Sequence, residues 1–134
     1  MEYLIGVVLG TGTCVFARLT GFDRERVLYP TMLIVIATYY LLFAVIARSS
    51  HAVTAESLLA GLFLVAAVAG FKKNLWLVVV ALAGHGVLDF FHHMFVENPA
   101  VPVWWPGFCL AFDILAGGFL AVLLLTRGSL ARAA

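Results

Sequence analysis

Five long apolar runs, separated by short charged or proline-rich breaks, leave this chain few folds to choose from. Crossing the hydrocarbon of a bilayer takes about 20 apolar residues in a helix. The runs at 3–22, 27–47, 53–71, 75–96 and 108–125 reach that length or approach it. The breaks are Asp23-Arg24-Glu25-Arg26, Arg48-Ser49-Ser50-His51, Lys72-Lys73-Asn74 and a longer one from Glu97 to Gly107. Of the 134 residues, 64% are hydrophobic and only 11% charged, with a mean hydropathy of +1.10. A soluble domain carries about a quarter charged residues, so this chain has too few to cover a surface facing water. The expected fold class is all-α: a polytopic membrane helix bundle of about five transmembrane helices, one domain over 1–134, with the lipid bilayer as its partner. The connections leave no room for a soluble domain and make consecutive helices antiparallel.

Charge adds a direction. With five spans, Arg18, Arg24, Arg26, Lys72, Lys73, Arg127 and Arg132 collect on one side of the membrane, and only Arg48 on the other. Lysine and arginine favour the cytoplasmic side, which predicts an outside N-terminus and a cytoplasmic C-terminus. The start, Met1-Glu2-Tyr3-Leu4, lacks the basic segment of a secretory signal, so the first run is read as a retained membrane helix. A net charge of +1 without a basic stripe excludes a nucleic-acid partner. Cys14 and Cys109 fall in different runs without a CxxC spacing and are read as small core residues. Small residues let helix backbones approach closely in lipid, and two pairs at that spacing stand out: Gly6 with Gly10, and Gly117 with Ala121.

The chemistry concentrates in Gly84-His85-Gly86-Val87-Leu88-Asp89-Phe90-Phe91-His92-His93, which holds three of the four histidines. Ionisable groups inside a membrane span cost several kcal/mol, and they mark function by default. At about 100° per residue, His85, Asp89 and His92 fall within an arc of roughly 60°, with His93 at its edge. Such a stripe has to face the bundle interior or a wet cavity. A rise of about 1.5 Å per residue puts His92 about 6 Å, Asp89 about 10 Å and His85 about 16 Å below the outer end of the fourth helix. Asp113 on the fifth helix comes out about 9 Å deep, level with Asp89. Tyr39 and Tyr40 reach a similar level and are read mainly as packing residues. Glu56 and His51 are read as rim residues near the outer surface.

Imidazole and carboxylate together suit zinc, iron or manganese. His85 and Asp89, spaced i and i+4, can share one divalent transition metal. His85 and His92, two turns apart, cannot readily do so, which leaves either one ion held by a pair plus Asp113 or two ions along the stripe. The expected ligands are His85, Asp89, His92 and Asp113, with His93 as a ligand or catalytic neighbour and Glu56 as a candidate base. Two other readings use the same residues: a proton or ion relay, and a hydrogen-bonded network that only locks helices together. The loop with Pro99, Pro102 and Pro106 is restricted, and Trp104 and Trp105 suit the membrane interface. It is read either as an anchor or as a lid over the polar layer.

The pattern His85-Gly86-x-x-Asp89-x-x-His92-His93, followed by Asn98-Pro99-x-Val101-Pro102 and Phe108-Cys109-x-x-x-Asp113, resembles a family of small bacterial integral membrane proteins of unknown function. The likeness covers roughly the last third of the chain and implies that this His/Asp set recurs as a unit. Gly84-His85-x-x-x-Asp89 with Val101-Pro102-x-x-Trp105-Pro106 is similar to part of the membrane-bound metal-dependent hydrolases of bacteria, which usually carry a further His-rich motif in an earlier helix. These likenesses place the chain in a bacterial inner membrane. The expected function is a metal site in the outer half of the last two helices, serving hydrolysis of a lipid or other apolar substrate. The alternatives are a transport or relay protein, and a structural subunit of a membrane complex or homo-oligomer.

Overall fold

Gly21 is where the chain first leaves a helix, and its backbone takes φ +84°, a left-handed conformation that glycine adopts without strain. The computed structural model describes the backbone of Met1–Ala133 and side chains as far as Gly128, so the Arg132 of the charge count lies outside the described side chains. Five helices run through it: α1 (Glu2–Thr20), α2 (Leu28–Ile46), α3 (Ser50–Lys72), α4 (Trp76–Phe91) and α5 (Trp105–Ala133). Each is long and apolar enough to cross a membrane, α4 together with the 3-10 turn that carries it to Met94, and no strand occurs among the described residues. Single 3-10 turns follow α1 at Phe22–Arg24 and α4 at His92–Met94.

Helices α4 and α5 have different limits from the apolar runs. The α-helical winding of α4 stops at Phe91, and the carbonyl of His92 then accepts from both Phe95 and Val96. Asn98 precedes a proline, which disfavours helical backbone there, so the chain has to leave the helix before it. At the other end of the loop, α5 starts at Trp105 and takes in Pro106. Proline fits the first turn of a helix because its missing N–H would have had no partner there.

In space the helices follow the order α1, α5, α4, α3, α2, and α2 also touches α4, while α1 and α2 hardly meet. Small residues set the close approaches. A Cβ on Gly6 would lie 2.5 Å from the Phe108 carbonyl oxygen, and Gly10 faces Phe112 and Leu115, so the Gly6/Gly10 pair marks the contact of α1 with α5. Gly86 does the same for α4 against α5, where a Cβ would meet the Cβ of Asp113 at 3.0 Å.

The bundle has two unlike ends. One carries the N-terminus and the α2–α3 and α4–α5 loops; we call it the histidine end. The other, the arginine end, carries the α1–α2 and α3–α4 loops. Toward the arginine end the core is apolar, with Leu33, Ala67, Val78, Leu82 and Leu120 buried. Charges there sit at the helix ends. Arg26 donates to the Phe71 carbonyl at 2.9 Å, and Arg127 donates to that of Asp23 at 3.0 Å. Arg18 pairs with Asp23 at 3.3 Å. Outside, Leu4, Val8, Leu58, Leu62, Val65, Val80 and Leu125 are exposed along the helices, as a surface bathed in lipid requires.

Candidate metal centre

His85 and Asp89 project from the same side of α4, one turn apart, toward Asp113 on α5. His85 Nδ1 lies 2.8 Å from Asp113 Oδ2 and 3.4 Å from Asp89 Oδ2. One ligand atom from each of the three residues lies within 4.8 Å of the others, a group that could hold a metal ion. The group is enclosed: His85, Asp89 and Asp113 are 3%, 1% and 0% exposed. Gly86 makes this possible, because the missing side chain lets the backbone of α5 bring Asp113 against α4. Phe63 of α3 presents itself edge-on to the imidazole of His85, with ring centres 4.7 Å apart.

The hydrogen bonding inside the group is incomplete. A ring nitrogen carries at most one hydrogen, so Nδ1 of His85 cannot satisfy both carboxylates. Asp89 Oδ2 and Asp113 Oδ1 are buried without a hydrogen-bond partner. Two carboxylates facing one imidazole also leave negative charge uncompensated in a low-dielectric interior, which is costly unless a cation or protons neutralise it.

Depth arithmetic placed Asp113 level with Asp89, whereas its nearer partner is His85, one turn further in. Part of the reason is the earlier start of α5. Two extra residues before Gly107, from which the depth is counted, move Asp113 about 3 Å deeper into the bundle.

His92 does not join this group. It lies in the 3-10 turn and meets Glu56 of α3, with Nε2 at 2.7 Å from Oε1. Glu56 is therefore not a rim residue: it is 2% exposed and belongs to a second polar layer nearer the histidine end. Asn98, which the sequence reading names within the Asn98-Pro99 motif but gives no role, completes this layer. Its amide donates to Glu56 Oε1 and to the Tyr40 carbonyl, both at 3.0 Å. The ring of Tyr40 lies against that of His92 at 4.2 Å between centres. The signal for Asn98 was its place just after the histidine stripe, beside a proline that forbids helix. His93 is exposed and stands outside both layers, and His51 is exposed as well. The proline-rich loop is thus pinned to the polar layer by Asn98, while Trp105 anchors it against Tyr39 and Phe43.

Four spaces adjoin the layers, one of them an apolar groove of about 400 Å³ between α3 and the end of α4 that His92 borders. A cavity of about 10 Å³ lies between them, bounded by Tyr40, Glu56, Phe63, His85, Asp89 and His92. That is about the room one water needs. A groove of about 520 Å³ opens between α1, α2 and α5, and its lining is apolar apart from Thr13, Thr31, Tyr39 and Asp113. It exists because α1 and α2 hardly meet, and Cys109 and Asp113 also face it. At the histidine end a vestibule of about 600 Å³ is lined by Glu2, His92, His93, Glu97 and Asn98 together with loop residues. Comparison with models of protein families, with curated proteins and with solved structures gives no match.

Proposed function

We propose that this chain is a membrane-embedded metalloprotein whose His85–Asp89–Asp113 centre hydrolyses a lipid or other apolar substrate taken in sideways from the bilayer. The observation that carries this reading is the buried group itself: one imidazole and two carboxylates within 4.8 Å, two of their oxygens unpartnered, with an apolar groove ending on Asp113. Three protein ligands fit a catalytic site, which keeps a coordination position open, rather than a closed structural one. The nitrogen and oxygen donors suit zinc, iron or manganese. A divalent ion held there would supply a Lewis acid and a water acidic enough to act as nucleophile near neutral pH. The chain's own residues would do the rest. Asp89 and Asp113 neutralise the ion, His85 orients it, and the groove holds the apolar part of the substrate away from water. Glu56, across the small cavity from Asp89, is the nearest carboxylate that the centre does not use, which supports it as the base.

The distribution of Arg18, Arg24, Arg26, Lys72, Lys73 and Arg127 supports an outside N-terminus, and so an outward-facing histidine end in a bacterial inner membrane. Membership of the small bacterial membrane family is part of this proposal; of its motif residues, Gly86, Asp89, His92, Asn98 and Asp113 are buried while His93 and Pro99 are exposed.

Gently purified protein is expected to carry about one transition metal ion per chain by elemental analysis, and an Asp89→Ala variant none. Metal-free wild type of undiminished stability would remove the proposal. One observation favours a relay instead: two buried acid–histidine pairs lie in succession from the vestibule inward. A relay needs that path to continue, but Leu82, Val78 and Leu120 follow it. Proton or ion flux in reconstituted vesicles that disappears in His85→Ala would favour the relay.

A further inference from the structure

The three residues of the centre are almost wholly enclosed, so an ion has to reach them through the protein. The groove beside Asp113 opens on hydrocarbon, where a hydrated cation does not go. Polar atoms approach the centre from the vestibule instead. Its inner wall includes His92 and Asn98. Behind them stands Glu56, and beyond Glu56 the small cavity touches His85 and Asp89. His92 borders both the vestibule and that cavity.

We propose that Glu56, His92 and Asn98 form a second, transient binding station for the same divalent cation, through which the centre is loaded from the vestibule. The proposal rests on the metal-centre reading above. The donors are a carboxylate, an imidazole and an amide oxygen, all usual ligands of divalent ions. Geometry brings them together, with His92 Nε2 2.7 Å and Asn98 Nδ2 3.0 Å from the same Glu56 oxygen. The amide oxygen of Asn98 is buried without a partner, and so is the hydroxyl of Tyr40. An arriving ion would take the place of the proton between His92 and Glu56, and the Asn98 amide, whose nitrogen faces Glu56, would turn over to offer its unpartnered oxygen.

The station carries one carboxylate and the centre two, so the ion is held less firmly at the station and moves inward. His92 sits in a single 3-10 turn at the end of α4, while Glu56 comes from α3 and Asn98 from the loop. Three separate segments therefore contribute one ligand each, and a small parting of the loop from α3 would open the station to the vestibule. His85, Asp89 and Asp113 come from only two helices locked together at Gly86. That arrangement suits retention.

The test follows zinc alone, as the ion passes from a fluorescent chelator into metal-free full-length protein in nanodiscs, by stopped flow. Wild type is expected to take up one ion. His92→Leu and Glu56→Gln are expected to reach the same final occupancy, but with loading and release both slowed about tenfold or more, the signature of a raised barrier at unchanged equilibrium. Unchanged rates in folded variants would overturn the proposal. So would variants that lose final occupancy, because Glu56 and His92 would then belong to the centre itself. Wild type that takes up no zinc would remove the centre and the station together, a result distinct from either. If both variants fail to fold, His93→Cys carries the test. Its side chain is exposed on the vestibule while Cys14 and Cys109 are buried, so a bulky charged thiol reagent would react there. Labelling is expected to slow loading by a similar factor, and loading at the wild-type rate would overturn the proposal.

Discussion

The two halves of this bundle handle polar groups in opposite ways. Toward the arginine end, charged side chains stay near that end of the bundle: Arg26 and Arg127 finish on the carbonyls of Phe71 and Asp23, and Arg18 on the Asp23 carboxylate. Between them the core is leucine, valine and alanine. Toward the histidine end, ionisable side chains are drawn into the bundle and meet one another: His85 with Asp113, and His92 with Glu56. The first arrangement satisfies orphan carbonyls and fastens helices. Buried oxygens without a partner occur in both halves, on Asp23 and Tyr29 in the first and on Tyr40, Asp89, Asn98 and Asp113 in the second, but only the second gathers two of them on carboxylates that face one imidazole. Fastening alone does not need that, because a merely structural network is most stable when every member is satisfied. On the proposed reading the first half holds the fold and the second holds an ion as well.

Paired substitutions in the two halves can break this contrast. The largest effect is expected from acidic residues. Asp113→Ala should weaken zinc or manganese binding by more than about 100-fold, measured by titration of the metal-free protein, since even outer-shell changes cost 10–100-fold. Asp23→Ala, at the arginine end, should leave the affinity as it is. Equal losses in both variants would mean that metal retention reports only on folding. Next come the glycines. Gly86→Leu should destabilise the protein by about 1–3 kcal/mol in detergent unfolding, because its side chain would strike Leu110 and Asp113. Gly118→Leu, with open space around it, should change stability little. The smallest effect is expected from Arg26→Ala. Losing its bonds to the α3 carbonyls should cost about 0.6 kcal/mol, the usual size of an interhelical hydrogen bond in a membrane, with metal content unchanged. A metal deficit in that variant would show that the two halves are coupled after all.

How far the site was legible depended on whether its residues shared a helix. The i, i+4 spacing already put His85 and Asp89 on one face, and depth counting brought Asp113 to the same part of the bundle. The same stripe suggested that His92 would join them. Yet a helix face fixes direction only, and seven residues of rise separate His85 from His92 by about 10 Å. His92 therefore found a different acid. Glu56 looked like a rim residue because it stands only three residues into the apolar run that begins at Val53, whereas α3 itself begins at Ser50. The loop after α4 folds over it, and that burial could not be read from α3 alone. Asn98 carried no assigned role for a related reason: a loop residue has no periodicity to show which way it faces.

The sequence by itself determined the solvent and the secondary structure. Apolar runs of spanning length, with too few charges to face water, permit little besides helices in lipid, because hydrocarbon forces every backbone group to bond within its own segment. It also determined that histidine and aspartate would be buried together, since a charged stripe on a spanning helix has nowhere else to go. Only the tertiary structure decided which acid meets which histidine, and that the polar groups divide into two layers. Those pairings depend on where α5 starts, how closely Gly86 lets it approach, and where the proline-rich loop comes to rest. These are contacts between segments distant in sequence, and spacing along one helix carries no information about them.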